Sequence, residues 1–99
     1  MELRKAFGKG LRALREWRGL AQEDFRGNYS QSYLSQLETG HRAVSLEKAD
    51  SLARALGVHP LTLLVKAYSV QEELSHSKLL AQVKVELDKL EPGKERRSD

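Results

Sequence analysis

The chain of 99 residues contains no cysteine. No disulfide can frame it and no thiolate can hold a metal, so an intracellular compartment is the default expectation. No run of about 18 apolar residues exists, so nothing is expected to span a membrane. The opening MELRKAFGKG is positively charged but has no apolar stretch behind it, unlike a secretory signal. Internal repeats and low-complexity tracts are lacking too. There is no glycine-rich phosphate loop and no nucleophile elbow. His41, His59 and His76 are widely spaced and form no HxxxH pair, so no metal site is expected. Glu16 with Glu23 or Asp24 does not make a catalytic pair, because these carboxylates sit near helix ends where they serve caps and dipoles. The three tyrosines are not interleaved with basic residues as in a single-strand binder. These absences leave no cofactor and no enzyme to expect.

Aromatics make up only 6% of the chain, and many Leu and Ala residues favour an all-helical solution. The length fits one domain with a modest core and room for an appendage. The net charge of +3 is small, but it is unevenly spread. Arg4, Lys5, Lys9, Arg12, Arg15 and Arg18 stand against Glu2 and Glu16 in the first 18 residues. Glu72, Glu73, Glu86, Asp88 and Glu91 stand against three lysines in residues 70–91. A basic front and a mildly acidic back suit a polyanion on one side and a protein contact on the other. The plainer alternative is that the basic residues are the solvated face of a first helix.

Leu3, Phe7, Leu11 and Leu14 step as one stripe of that first helix, which should end near Gly19. Gln22 to Arg26 reads as a very short second helix, broken by Gly27 and Asn28. Ser30 is a good N-cap for a third, reaching about Thr39, with Tyr29 and Leu34 spaced as a hydrophobic staple. Gly40 stops it. Ser45 caps a fourth helix with Leu46, Ala49, Leu52, Ala53 and Leu56 inward and Gly57 at its end. His59 is expected to cap a fifth that opens at Pro60 and runs through Leu61, Leu64 and Val65 to about Tyr68. Ser69 to Glu72 has the form of a capping box and predicts a sixth helix from Val70 to Leu90. On it Leu80, Val83, Leu87 and Leu90 have the spacing of a coiled-coil seam, with Leu74, Leu79 and Val85 partly off it. The tail, residues 92–99, lacks an apolar anchor and should be disordered.

The third helix is the most informative element. Leu34 and Leu37 fall on one side, while Ser32, Ser35, Gln36 and Thr39 cluster on the other, which carries no acid. Carboxylates there would repel DNA, whereas Gln and Ser hydrogen-bond base edges and phosphates.

From about Leu11 to Leu64 the chain resembles the lambda-repressor/Cro-like, or XRE-type, helix-turn-helix family. The resemblance is carried by LRALREWRGLAQEDF, SQSYLSQLETG and SLEKADSLARALGVHP, in the family's order and nearly its spacing. It implies a five-helix DNA-binding domain over residues 1–69, which closes without the sixth helix; the apolar seam of that helix, in residues 70–91, makes it the expected dimerisation element, followed by the tail at 92–99. It implies that Gln31, Ser32 and Gln36 read bases, flanked by Tyr33 and Ser35. Gln22 would contact the phosphate backbone and brace the first residue of the recognition helix. Thr39, His41 and Arg42 match a loop that contacts phosphates, with Lys9 and Arg12 as further candidates on helix 1. Arg15 and Glu38 match a salt bridge tying helix 1 to helix 3.

The chain departs from that pattern twice. Its second helix is about two residues short, which bears on how the third docks. Ala21 stands where the family has a Ser or Thr cap, a loss of about 1 kcal/mol, so the second helix should be the weakest part. Trp17 replaces an exposed polar residue and is expected to pack on the sixth helix, the alternative being a partner or dimer contact. The implied function is a small bacterial or phage-type cytoplasmic regulator, a homodimer on an inverted repeat of double-stranded DNA, repressing by blocking polymerase. Its dimer would form through Leu80, Val83, Leu87 and Leu90. The alternatives are an antitoxin, or an anti-repressor, gripping a protein partner with the C-terminal helix.

Overall fold

The computed structural model describes residues 1–25 and 29–91. Among these it is all-helical: α1 (Leu3–Trp17), a 3-10 turn (Gln22–Asp24), α2 (Gln31–Glu38), α3 (Leu46–Leu56), α4 (Pro60–Glu72) and α5 (His76–Leu90). The expected end of the second helix at Arg26, its break at Gly27 and Asn28, and the tail lie outside the described residues.

The core is a cluster of Phe7, Leu11, Phe25, Leu34, Leu37, Leu52, Leu56 and Leu63 with small alanines between them. α1 packs mainly on α4 and α2, and its two glycines explain how closely. A Cβ on Gly10 would sit 3.3 Å from the backbone nitrogen of Ala67 on α4. A Cβ on Gly8 would fall 2.5 Å from the Glu38 carbonyl oxygen, and closer still to that of Leu37. Glycine inside a helix costs about 0.5–1 kcal/mol relative to alanine. Here it lets α1 lie directly on the last turn of α2.

The caps follow the sequence. Ser30, Ser45 and Ser75 accept the backbone N–H of Tyr33, Lys48 and Lys78. His59 Nδ1 accepts the N–H of Leu61 at 2.9 Å, with Pro60 behind it in the first turn. Arg18 Nε donates to the Leu56 carbonyl at 2.8 Å, placing a cation at the negative end of α3.

Three expectations need correction. Leu46, the first residue of α3, is 72% exposed rather than inward, because the first turn overhangs the core that Ala49 begins to fill. In α4 it is Leu63 and Ala67 that are buried, while Leu61 faces out. Next, α4 does not end near Tyr68 but runs to Glu72. No glycine or proline interrupts Leu61 to Leu74, so Ser69 stays helical. The break comes at Glu73, whose φ of 52° is left-handed, and Ser75 caps the next helix. A left-handed residue other than glycine costs about 1 kcal/mol. The sixth predicted helix is therefore α5, shorter than expected at 15 residues, or about 22 Å. Finally, Trp17 is 68% exposed, and the guanidinium of Arg18 lies 5.2 Å from its ring centroid. α5 packs chiefly on α4 rather than on α1, which leaves Trp17 no helix to cover it.

The seating of α1 is testable at Gly8. Gly8→Ala should destabilise the protein by about 1–3 kcal/mol in urea unfolding, despite the better helix propensity of alanine. An unchanged midpoint would mean that α1 does not lie on the α2 backbone.

Candidate nucleic-acid interface

An eight-residue helix has little stability of its own, so α2 depends on what holds it. Leu34 and Leu37 anchor it in the core, both with no exposed surface. Its far face presents Gln31, Ser32 and Gln36 to solvent, with Ser35 half-buried and Thr39 exposed. Of the outward set that the helical spacing predicts, Ser32, Gln36 and Thr39 are exposed and Ser35 is partly covered.

Glu38, the acid of this helix, is turned away from that face. Its side chain is only 5% exposed and receives Arg15 Nε at 2.6 Å and Nη2 at 2.9 Å. Gln22 Nε2 adds a third hydrogen bond to Glu38 at 3.0 Å. Arg15 Nη1 donates to the Leu20 carbonyl at 2.7 Å. The hydrogen bond with Glu38 holds the Arg15 guanidinium above its ordinary pKa, with burial opposing it. The inter-helix bridge is therefore present, and it also ties down the chain between α1 and the 3-10 turn. Gln22 differs from expectation. Its amide nitrogen goes to Glu38, at the opposite end of α2 from Gln31, so it braces the helix through its last residue.

The shortened second helix is a single 3-10 turn. Ala21 supplies no side-chain cap, but the Asp24 carboxylate accepts the Ala21 N–H at 3.0 Å and offsets part of that loss. Phe25 follows and is buried. Its ring meets Tyr29 edge-on with centroids 5.9 Å apart, and Tyr29 stacks on Tyr33 at 6.1 Å. Lys48 Nζ lies 5.5 Å from the Tyr29 ring, and the Tyr29 hydroxyl meets that of Ser51 on α3. This row was not anticipated as a unit. Its signal was the four-residue spacing of Phe25, Tyr29 and Tyr33.

The loop after α2 is folded back on the helix. Gly40, at φ +81°, lets its own N–H reach the Leu37 carbonyl and that of His41 reach the Gln36 carbonyl, at 3.2 and 2.9 Å. Thr39 Oγ1 pairs with His41 Nδ1 at 2.7 Å. Arg42 then lies over the Tyr33 ring, 5.4 Å from its centroid, and its Nε donates to Gln36 Oε1 at 2.9 Å. On α1, Lys9 and Arg12 are exposed three residues apart, on one face. Arg12 Nε contacts Glu16 at 2.9 Å, and this hydrogen bond holds the Glu16 carboxyl below the usual carboxylate range. Leu80, Val83, Leu87 and Leu90 lie far from this face in sequence, and all are exposed along α5.

Among the described residues, no group of three or more metal-ligating side chains is brought together. Nor is any of their helices long and apolar enough to cross a membrane.

Comparison with known proteins points the same way as this geometry. A helix-turn-helix family model matches residues 11–63. An uncharacterised HTH-type transcriptional regulator of Sinorhizobium fredii, y4dJ, is 41% identical over 66 residues, covering 65% of this chain and 86% of that protein. The crystal structure of the clp gene regulator ClgR from Corynebacterium glutamicum is similar with a TM-score of 0.66 and 29% identity, over 92% of each chain.

The bridge beneath α2 makes a sharp prediction. Glu38→Ala strands a buried guanidinium and should cost about 3–5 kcal/mol in urea unfolding. Replacing both partners, Arg15→Met with Glu38→Leu, should recover most of that loss. Equal stability of the single and double variants would show that the pair is not desolvated.

Proposed function

The chain belongs to the helix-turn-helix family of DNA-binding transcriptional regulators, and from that premise we propose that it is a homodimeric repressor of an inverted-repeat operator. The observation that carries the reading is the outward face of α2: exposed Gln31, Ser32 and Gln36, with Glu38 hidden behind them. The helix lies in the major groove and these three side chains read base edges. Tyr33 and Ser35 flank them. Thr39, His41 and Arg42 in the following loop, Lys9 and Arg12 on α1, and Gln22 at the 3-10 turn meet the phosphates on either side. The protein works in the cytoplasm of a bacterial or phage-type system and represses by occluding polymerase.

A single helix reads only a few base pairs, so useful specificity calls for two copies. The uncovered stripe on α5 supports that assembly. Leu80, Val83, Leu87 and Leu90 are between 39% and 72% exposed, whereas Leu79 is buried against the domain. An apolar groove between α4 and α5, lined by Leu61, Val65, Leu74 and Leu80, runs into the same stripe. A helix this apolar calls for a partner. In a two-fold dimer the recognition helices serve half-sites about 34 Å apart. The same exposed stripe is the observation that favours a second reading, in which α5 grips a different protein, as an antitoxin or anti-repressor would.

Two experiments test these roles. Gln36→Ala should weaken binding to a selected operator by about 1–3 kcal/mol and leave non-specific DNA affinity nearly unchanged. Equal loss on both kinds of DNA would remove Gln36 from the reading set. Replacing Leu80 and Leu87 by Asp should give a folded monomer, by light scattering, that binds the operator far more weakly. A double variant that stays dimeric would move the interface off α5, and a monomeric parent protein would favour the heterologous partner.

A further inference from the structure

Arg42 holds one end of the Gln36 side chain. A guanidinium only donates, so the amide atom facing Arg42 Nε at 2.9 Å is the acceptor, Oε1. The amino group, Nε2, is then the end of Gln36 left to lead towards a base. The arginine is itself placed from two sides. Its guanidinium rests over the Tyr33 ring, which is stacked in turn on Tyr29. Its backbone follows the Gly40 turn that folds the loop onto the last turn of α2. A guanidinium over an aromatic face, with Nε free to donate sideways, suits arginine and not lysine.

The orientation of an amide decides which base it prefers. Adenine presents N7 as an acceptor and N6 as a donor, so a glutamine reading it must offer both Nε2 and Oε1. Guanine presents two acceptors, N7 and O6, and asks only for donors. Oε1 keeps a second lone pair, but Arg42 holds that end of the amide at the loop, so the end of Gln36 that leads towards a base is the donor Nε2. We propose that Arg42 is a specificity-determining positioning residue, which sets the Gln36 amide so that it reads guanine in place of adenine. This rests on the reading of Gln36 as a base contact. The Nη groups of Arg42 carry four further N–H donors, so a phosphate contact is compatible with the role.

The test uses the full chain and a library of randomised double-stranded DNA. Selected sequences give the base preferences, and titration of single-base variants of the consensus gives their size. The parent protein should prefer guanine at the position whose preference disappears in Gln36→Ala. Arg42→Met, which keeps the stem and removes every donor, should shift that position towards adenine, changing the guanine-to-adenine ratio by about tenfold. Tyr33→Leu should shift it in the same direction. Loss of affinity in Arg42→Met that is uniform over all sequences, with the ratio unchanged, would overturn the proposal and leave Arg42 a phosphate contact. A parent preference for adenine at that position would overturn it as well. If Gln36→Ala leaves every base preference intact, the underlying assignment of Gln36 fails instead, an outcome distinct from the other two.

Discussion

The carboxylate at the end of α2 is neutralised and hidden, and this constraint organises the domain. Glu38 is in the last turn of α2, where the helix dipole already disfavours an acid. Taking its charge and that of Arg15 out of water costs several kcal/mol for each ion. That penalty is met only by near-complete coordination. Two bonds come from the guanidinium, one from Gln22, and Arg15 is closed by the Leu20 carbonyl. The result is weak as a source of net stability and strong as a constraint on position. One cluster fixes α1, the chain after it, the 3-10 turn and the end of α2 relative to each other.

The same end of α2 is also where backbone meets backbone. Gly8 lets α1 touch the Leu37 and Glu38 carbonyls, and Gly40 packs against Lys5. The opposite end is held differently. There the second helix is cut short, and rings replace it: buried Phe25, then Tyr29, then Tyr33. Because the row ends under the Arg42 guanidinium, it also supports the exposed face.

Much of this was legible in the chain. Serine and glycine marked the ends of α2 and α3, and the 3.6-residue pattern separated Leu34 and Leu37 from Ser32 and Gln36. The Arg15–Glu38 bridge came from a family pattern, not from spacing, since no local rule links residues 23 apart. The misplaced joint between α4 and α5 shows where local signals compete. Ser69 and Ser75 both have the makings of a cap, and only the left-handed Glu73 decides between them. Glutamate gives no warning of that conformation, as glycine would. Leu46 and Trp17 failed for another reason: periodicity says which face a side chain is on, but not whether any neighbour reaches that far along the helix. The pairing of Arg42 with Gln36 lay beyond sequence reasoning, because it depends on how sharply the Gly40 turn folds back.

The brevity of α2 has a genetic consequence. Eight residues of helix exist only while Leu34, Leu37 and the Glu38 cluster hold them, so the folded core and a shaped reading surface are a single equilibrium. Losing about 2 kcal/mol anywhere in that core lowers the amount of competent protein without changing which sequence it prefers. Alleles recovered for lost regulation will therefore spread through Phe7, Leu11, Leu52 and their neighbours as readily as over the exposed face. Under the proposed reading, alleles that change the target will be confined to the few side chains standing proud of it.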